Sequence, residues 1–313
     1  MKGPARLLLP AALLAAIGAH AQVPPPAPAA SAPAPAASAP SSELRQLCAA
    51  LPETPTDGRG LAQRAQCVLT GITPSTRRFA EARELAAKAM EQGEPTGGFA
   101  LYLAFANDPA NMYRRDGKAD LEAYRKLGER PLSDRAEQVA AIEGLAFAAG
   151  KNHPGAGVLL ASYFYETVAP QNVMRVRAMT GLLLRNGARN APLEKMQREA
   201  AVIEKTAPAT KASVRSFLDA YLPATTAALQ GHAVQTAGTC DKATLKSVSA
   251  SDIRNAEYLP LTGKMVEKTY LVKGEWMEFW TFDACGEDVP VKVGFIADGW
   301  GGAGITAAHN KGQ

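Results

Sequence analysis

Residues 270–299 read YLVKGEWMEFWTFDACGEDVPVKVGFIADG, the densest aromatic and β-branched stretch of the chain and the home of Trp276 and Trp280. Alternation puts Trp276, Trp280 and Phe282 on one face of an extended segment with Glu278 between them, and Met277 and Phe279 on the other. A strand apolar on both faces is ordinarily central and covered on both sides. Lys273-Gly274 reads as the turn joining strands at 265–272 and 275–283. Val289, Val291, Val293 and Phe295 then alternate with Pro290, Lys292 and Gly294, which predicts a strand with one buried face. Residues 283–288 are the turn between them and hold Cys285. A further strand is expected at 243–249. Residues 298–304, DGWGGAG, lack the Lys-Ser/Thr ending of a phosphate-binding loop and read as a flexible turn before a last short strand.

Upstream of this stretch the period changes from strand to helix. Helical patterning runs through 43–51, 59–69, 76–92, 96–106, 118–127, 133–149, 155–167, 171–184, 191–205 and 209–220. Ser75 and Ser133 stand where N-caps belong, and Gly93, Gly128, Gly150 and Gly187 where helices end. Helices of this length on short turns imply antiparallel neighbours, in a bundle or a solenoid. Residues after Pro223 are small and polar and read as a linker. The expected class is therefore α+β as separate domains: an α-helical repeat-like region at 43–222, a linker at 223–237, and a small antiparallel β-rich domain at 238–309.

The N-terminus carries the three parts of an export signal at 1–21: Lys2 and Arg6, an apolar run from Leu7 to Ile17, then Ala19-His20-Ala21. Cleavage is expected before Gln22, leaving no membrane-spanning segment and a periplasmic or secreted protein. Residues 22–42, almost wholly Pro, Ala and Ser, cannot bury enough apolar surface to order themselves and read as a disordered tail. Two of the 34 Lys and Arg residues lie in the signal, so against 30 Asp and Glu the mature chain carries a net charge of +2. That is no footprint for nucleic acid.

The four Cys divide into two pairs in an oxidising compartment. Cys48 and Cys67 sit one in each of the first two helices, which predicts a Cys48–Cys67 bridge across a helical hairpin. Cys240 and Cys285 remain, and their bridge would staple the first residues of the β-domain to its central hairpin, useful where a small core is marginal alone.

An internal echo favours the solenoid. Glu94-Pro95-Thr96-Gly97-Gly98-Phe99 lies over His153-Pro154-Gly155-Ala156-Gly157-Val158: a Pro, small residues, an apolar run, then an aromatic at Phe105 and at Phe164. Ala86-Ala87-Lys88-Ala89-Met90-Glu91-Gln92-Gly93-Glu94-Pro95 resembles the helix turn of Sel1-like repeats, relatives of tetratricopeptide repeats. Residues 149–154 resemble it in degraded form. The resemblance covers 76–190, with an insertion around 107–120, and implies a non-catalytic scaffold whose concave face binds another protein. The pattern W-x-E-x-W-T-x-x-x-C-G, followed by a valine-rich strand and D-G-x-G-G, is similar to a small β-domain of exported bacterial repeat proteins, which implies architecture and no chemistry.

No cofactor is implied. His153, His232 and His309 lie far apart in a turn, a linker and the tail, without metal-ligand or triad spacing. Glu275, Glu278, Asp283, Glu287 and Asp288 crowd the β-domain. They read as a solvated strand edge and turn, or, at their sharpest, as a glycoside-cleaving site in which Glu278, desolvated between two tryptophans, is the general acid. Phe99, Tyr102, Tyr163 and Tyr165 are either contacts for a partner or, as helical aromatics usually are, core. Arg175 and Arg177 either face solvent or line a groove for an acidic peptide or glycan. The expectation is an envelope adaptor that binds a protein or cell-wall component through its helices, with a peptidoglycan-directed hydrolase acting through Glu278 as the alternative.

Overall fold

The structure, a computed structural model, describes residues 41–310 apart from 116, 117 and 189. The expected export signal, the cut before Gln22 and all but the last two residues of the Pro/Ala/Ser tail lie outside the described residues. Ten helices precede a five-stranded antiparallel sheet among the described residues, the α+β order expected.

The first four helices are α1 (Ser42–Ala50), α2 (Gly58–Leu69), α3 (Arg78–Glu91) and α4 (Pro95–Ala106). Next come a 3-10 turn at Pro109–Asn111 and a two-stranded ladder, β1 (Arg114–Arg115) with β2 (Lys118–Ala119). Then come α5 (Leu121–Gly128), a second 3-10 turn at Leu132–Arg135, α6 (Ala136–Gly150), α7 (Pro154–Glu166), α8 (Asn172–Arg185), α9 (Ala191–Thr206) and α10 (Val214–Thr236). Packing passes between chain neighbours, α2 on α3, α3 on α4, α4 on α6, α6 on α7, α7 on α8 and α8 on α9. The two echoed turns build the same device. Glu94 and His153 each accept the N–H of a first-turn residue, and Pro95 and Pro154 each take the first helical position, where a missing N–H costs nothing. The echoes also touch, because the Phe99 ring stacks on His153 at 4.5 Å between centroids.

Two cap assignments are corrected. Arg77 precedes α3 without a side-chain cap, while Ser75 accepts the Arg77 N–H at 3.1 Å and donates to Glu81. Ser133 lies inside the 3-10 turn.

The sheet comprises β3 (Ala243–Ala250), β4 (Arg254–Tyr258), β5 (Leu271–Ala284), β6 (Glu287–Ala297) and β7 (Ala303–His309). Its order is β3-β5-β6-β7, with β4 sharing the same edge of β5 as β3. The hairpin expected at Lys273-Gly274 is absent. β5 runs unbroken through both residues, and Gly274 is instead the point where a Cβ would meet Ile253 at 2.8 Å, so it admits the approach of β4. The tight turn is at Cys285-Gly286, both with positive φ (55° and 90°), the left-handed pair that a two-residue hairpin demands. Val289, Val291, Val293 and Phe295 are buried as expected, but β5 is covered on one face only: Phe279 on the other is 42% exposed.

The linker expected at 223–237 is the second half of α10, a 23-residue helix with Pro223 inside it. The small residues that suggested a flexible joint are its packing face. Ala224, Ala227, Ala228 and Gly231 are buried, and a Cβ on Gly231 would collide with His309 and Val289 of the sheet. Small side chains let α10 lie across β5, β6 and β7 at close range. Helices and sheet consequently share one core, running from Leu145 and Leu160 through Phe217 to Trp276, Trp280 and Phe295. Both expected disulfides are present, Cys48–Cys67 and Cys240–Cys285, with Cα separations of 5.7 and 5.9 Å. Two bridges fit an oxidising compartment, periplasmic or extracellular. No helix among the described residues is long and apolar enough to cross a membrane.

Candidate functional site

Glu278 is neither a solvated edge residue nor an open catalytic acid. It is 0% exposed, on the face of β5 that α10 covers. Because β5 alternates, Trp276 and Trp280 flank it on that same face and aim both indole N–H groups at the carboxylate, at 3.1 and 2.9 Å. The α9–α10 loop closes the remaining side: Thr210 Oγ1 donates at 2.8 Å and the Lys211 backbone N–H at 2.9 Å. Four neutral donors thus engage the two oxygens, three on Oε1 and Trp280 on Oε2, with the Thr210 hydroxyl also 3.1 Å from Oε2. A buried carboxylate held in this way pins the loop against the sheet and offers a substrate no exposed surface. The other acids of the group stay outside. Glu275 pairs with Arg254 and Asp288 with Lys246 on the solvent side.

The aromatics divide. Tyr163 and Tyr165 are buried: the Tyr163 hydroxyl bonds Thr269 at 2.9 Å and the Tyr165 hydroxyl donates to Glu199 at 2.8 Å. Burial drives both phenols above their ordinary range, and for Tyr165 the Glu199 carboxylate adds to the rise. Phe99 and Tyr102 are half-buried against the same core, and burial also raises Tyr102. Arg175 turns inward, with its guanidinium on Pro170 O and Asn172 Oδ1.

Arg177 is the sequence candidate that reaches a groove. It lies on the outer face of α8 and pairs with Glu204 across the gap to α9. Met174, Ala178, Gly181 and Arg185 of α8, with Gln197 and Glu204 of α9, complete an open groove of about 400 Å³. Met174 and Leu182 leave an exposed apolar stripe along α8, and Arg185 makes no ion pair among the described residues. The spacing 174, 178, 182 is the helical i, i+4, i+8 row, so the stripe was present in the sequence. What hid it was that nothing in the pattern tells an outward apolar row from an inward one.

A second cluster was missed entirely. Asp298 accepts the Tyr124 hydroxyl at 2.5 Å and the N–H groups of Trp300 (2.7 Å) and Gly302 (3.0 Å). Arg135, buried, spends its guanidinium on carbonyls: Arg130 at 2.9 Å, Gly128 at 2.8 Å and Gly299 at 2.6 Å. The DGWGG segment, read as a flexible turn, is therefore the fixed joint between α5, the 3-10 turn and the sheet. Burial raises Asp298 above the ordinary carboxylate value against the downward pull of those three donors. Burial also lowers Arg135. Each of its partners is a backbone group or a residue far off in sequence, which no local motif displays.

No protein-family model, curated protein or solved structure matches this chain.

Proposed function

We propose that the protein is an exported, non-catalytic binding module of the bacterial cell envelope, a distant relative of Sel1-like repeat proteins, and that its helical region holds a carboxylate-bearing peptide or cell-wall partner. The observation that carries this reading is the groove between α8 and α9, where an apolar floor of Met174 and Ala178 lies beside Arg185, which has no ion pair among the described residues, and beside Arg177, which is paired with Glu204. The apolar floor supplies burial, and Arg185, joined by Arg177 when an incoming carboxylate displaces Glu204, supplies orientation and capture of an anionic chain. The paired echo at Glu94-Pro95 and His153-Pro154 supports the repeat relationship. The burial of Glu278 among four donors speaks for a structural carboxylate over a general acid.

Fluorescence polarisation against acidic, neutral and basic peptides and against muropeptides tests the groove. Acidic ligands should bind, and Arg177→Glu with Arg185→Glu should weaken them by about tenfold or more, since losing one good charged contact is worth that factor. Binding indifferent to the reversal places the site elsewhere. Peptidoglycan turnover by the wild-type protein, lost in Glu278→Gln variants that remain folded, would instead establish a hydrolase.

A further inference from the structure

The two edges of the sheet are finished differently. The β3/β4 edge is irregular, with register shifts between Leu245 and Ser247, between Arg254 and Glu257, and between Glu257 and Tyr258. It also carries the Lys246–Asp288 and Arg254–Glu275 ion pairs. Bulges and charges of this kind are what keep strand edges from pairing with other chains. β7, on the other edge, has none of them. Residues 303–309, AGITAAH, contain no Asp, Glu, Lys, Arg or Pro, and the strand pairs with β6 in unbroken register from Ala303 to His309.

The ladder fixes which backbone groups point outward. The Asp298 N–H bonds Gly302 O and the Asn310 N–H bonds Pro290 O, so residues of even number in β7 direct their N–H and C=O at β6. Ala303, Ile305, Ala307 and His309 direct theirs away from the sheet. Among the described residues β7 packs mainly on β6 and α10, and its outward groups have no backbone partner. An apolar side chain borders the edge on its solvent face: Ile296, opposite Gly304, is 61% exposed.

From this edge we infer that β7 pairs antiparallel with β7 of a second copy about a two-fold axis through Thr306, joining two five-stranded sheets into one. The strand is self-complementary in that register. Ala303 faces His309 and Ile305 faces Ala307 as hydrogen-bonded pairs, twice over by symmetry, for roughly eight interstrand hydrogen bonds. Ile305 meets a small partner, Gly304 meets Ala308, and Thr306 meets its own copy, a pairing in which the two hydroxyls can bond each other. No like charges are brought opposite one another, the usual obstacle to a symmetric strand pair. An extended strand from a different protein would use the same backbone groups, but nothing on this edge offers a charge or a deep pocket to select a foreign sequence, whereas the copy brings its own matching row.

Sedimentation equilibrium of the mature, disulfide-intact protein tests the pairing. The wild type should reach dimer as concentration rises. Thr306→Lys places like charges on the axis at a solvent-facing position. Ala307→Pro removes an outward N–H and no bond to β6. Each should raise the dimer Kd by about tenfold or more while leaving the monomer's melting temperature unchanged. Thr306→Cys should give a covalent dimer under mild oxidation, because the two Cα atoms of such a facing pair lie about 4.5 Å apart, within disulfide reach. Lys246→Cys on the opposite edge should not. A wild type monomeric at every concentration, or dimers with the same Kd in both edge variants, would overturn the pairing.

Discussion

The N-terminal stack and the helix–sheet half of the molecule are packed by different means. Around α2, α3 and α4 the core breaks into small groups of three or four residues, mostly alanine with Leu61, Val68, Leu69 and Leu101. From α6 onward one continuous core gathers Trp276, Trp280, Phe282, Phe295 and Phe217, with Trp276 stacked on Phe295 at 4.8 Å and Phe217 on Trp280 at 4.6 Å. Alanine packing brings backbones close, as at Gly98 against Gly144 where α4 crosses α6, but buries little apolar surface per residue. Aromatic packing buries much more. The first region accordingly relies on a covalent clip, Cys48–Cys67, and the second on side chains.

That contrast can be broken most severely at Trp280. Trp280→Ala, at 0% exposure and stacked on Phe217, should cost about 4 kcal/mol in urea unfolding, against about 2–3 kcal/mol for Leu101→Ala in the alanine stack. Next comes Glu278→Gln, expected to lose about 3 kcal/mol. The amide turns an N–H₂ toward indole and hydroxyl donors and leaves some of the four without an acceptor. Equal stability of that variant would show that the clamp is ornamental. Removing Cys48–Cys67 with a double Ser substitution should cost about 3 kcal/mol in chain-entropy terms and act locally. Hydrogen exchange should quicken in α1–α3 and stay unchanged in β5, while equal loss in both would show the halves to be one cooperative unit.

The smallest expected effect is a pH slope. Asp298 has its folded pKa raised above the ordinary 3.8, so the native state binds the proton more tightly than the unfolded chain does. Its contribution to stability is present in full below that ordinary value and is lost as pH rises through the folded pKa. Asp298→Asn should remove this portion of the pH dependence from denaturant midpoints measured upward from pH 3.8. A variant with the wild-type slope would place the titration elsewhere.

Much of this architecture was legible because it rests on local pattern. The order of helices then strands, the two disulfides and the one-faced strand at Val289–Phe295 follow from period and cysteine position. What escaped rests on packing. Residues 224–236 look like a linker because alanine, threonine and glycine are common in linkers, and only the sheet beneath them shows why small side chains were needed. Glu278 reads from the sequence as part of a solvated strand edge or, at its sharpest, as an acid in a cleft; it is a buried clamp instead, because Thr210 and Lys211, nearly seventy positions upstream, close over it. Asp298 and Arg135 meet Tyr124 and Gly299 only after the chain has folded. At the groove the sequence marks Arg177, but only the fold sets Met174 and Arg185 beside it.

The Glu278 clamp also gives the molecule an optical reporter. Two of its three tryptophans donate their indole N–H to one buried carboxylate, at the seam where the α9–α10 loop meets β5. Indole emission shifts to longer wavelength when water replaces such surroundings. Loosening of that seam alone should therefore redden the fluorescence while helical circular dichroism stays at its native value, separating detachment of the sheet from melting of the helices in a single titration.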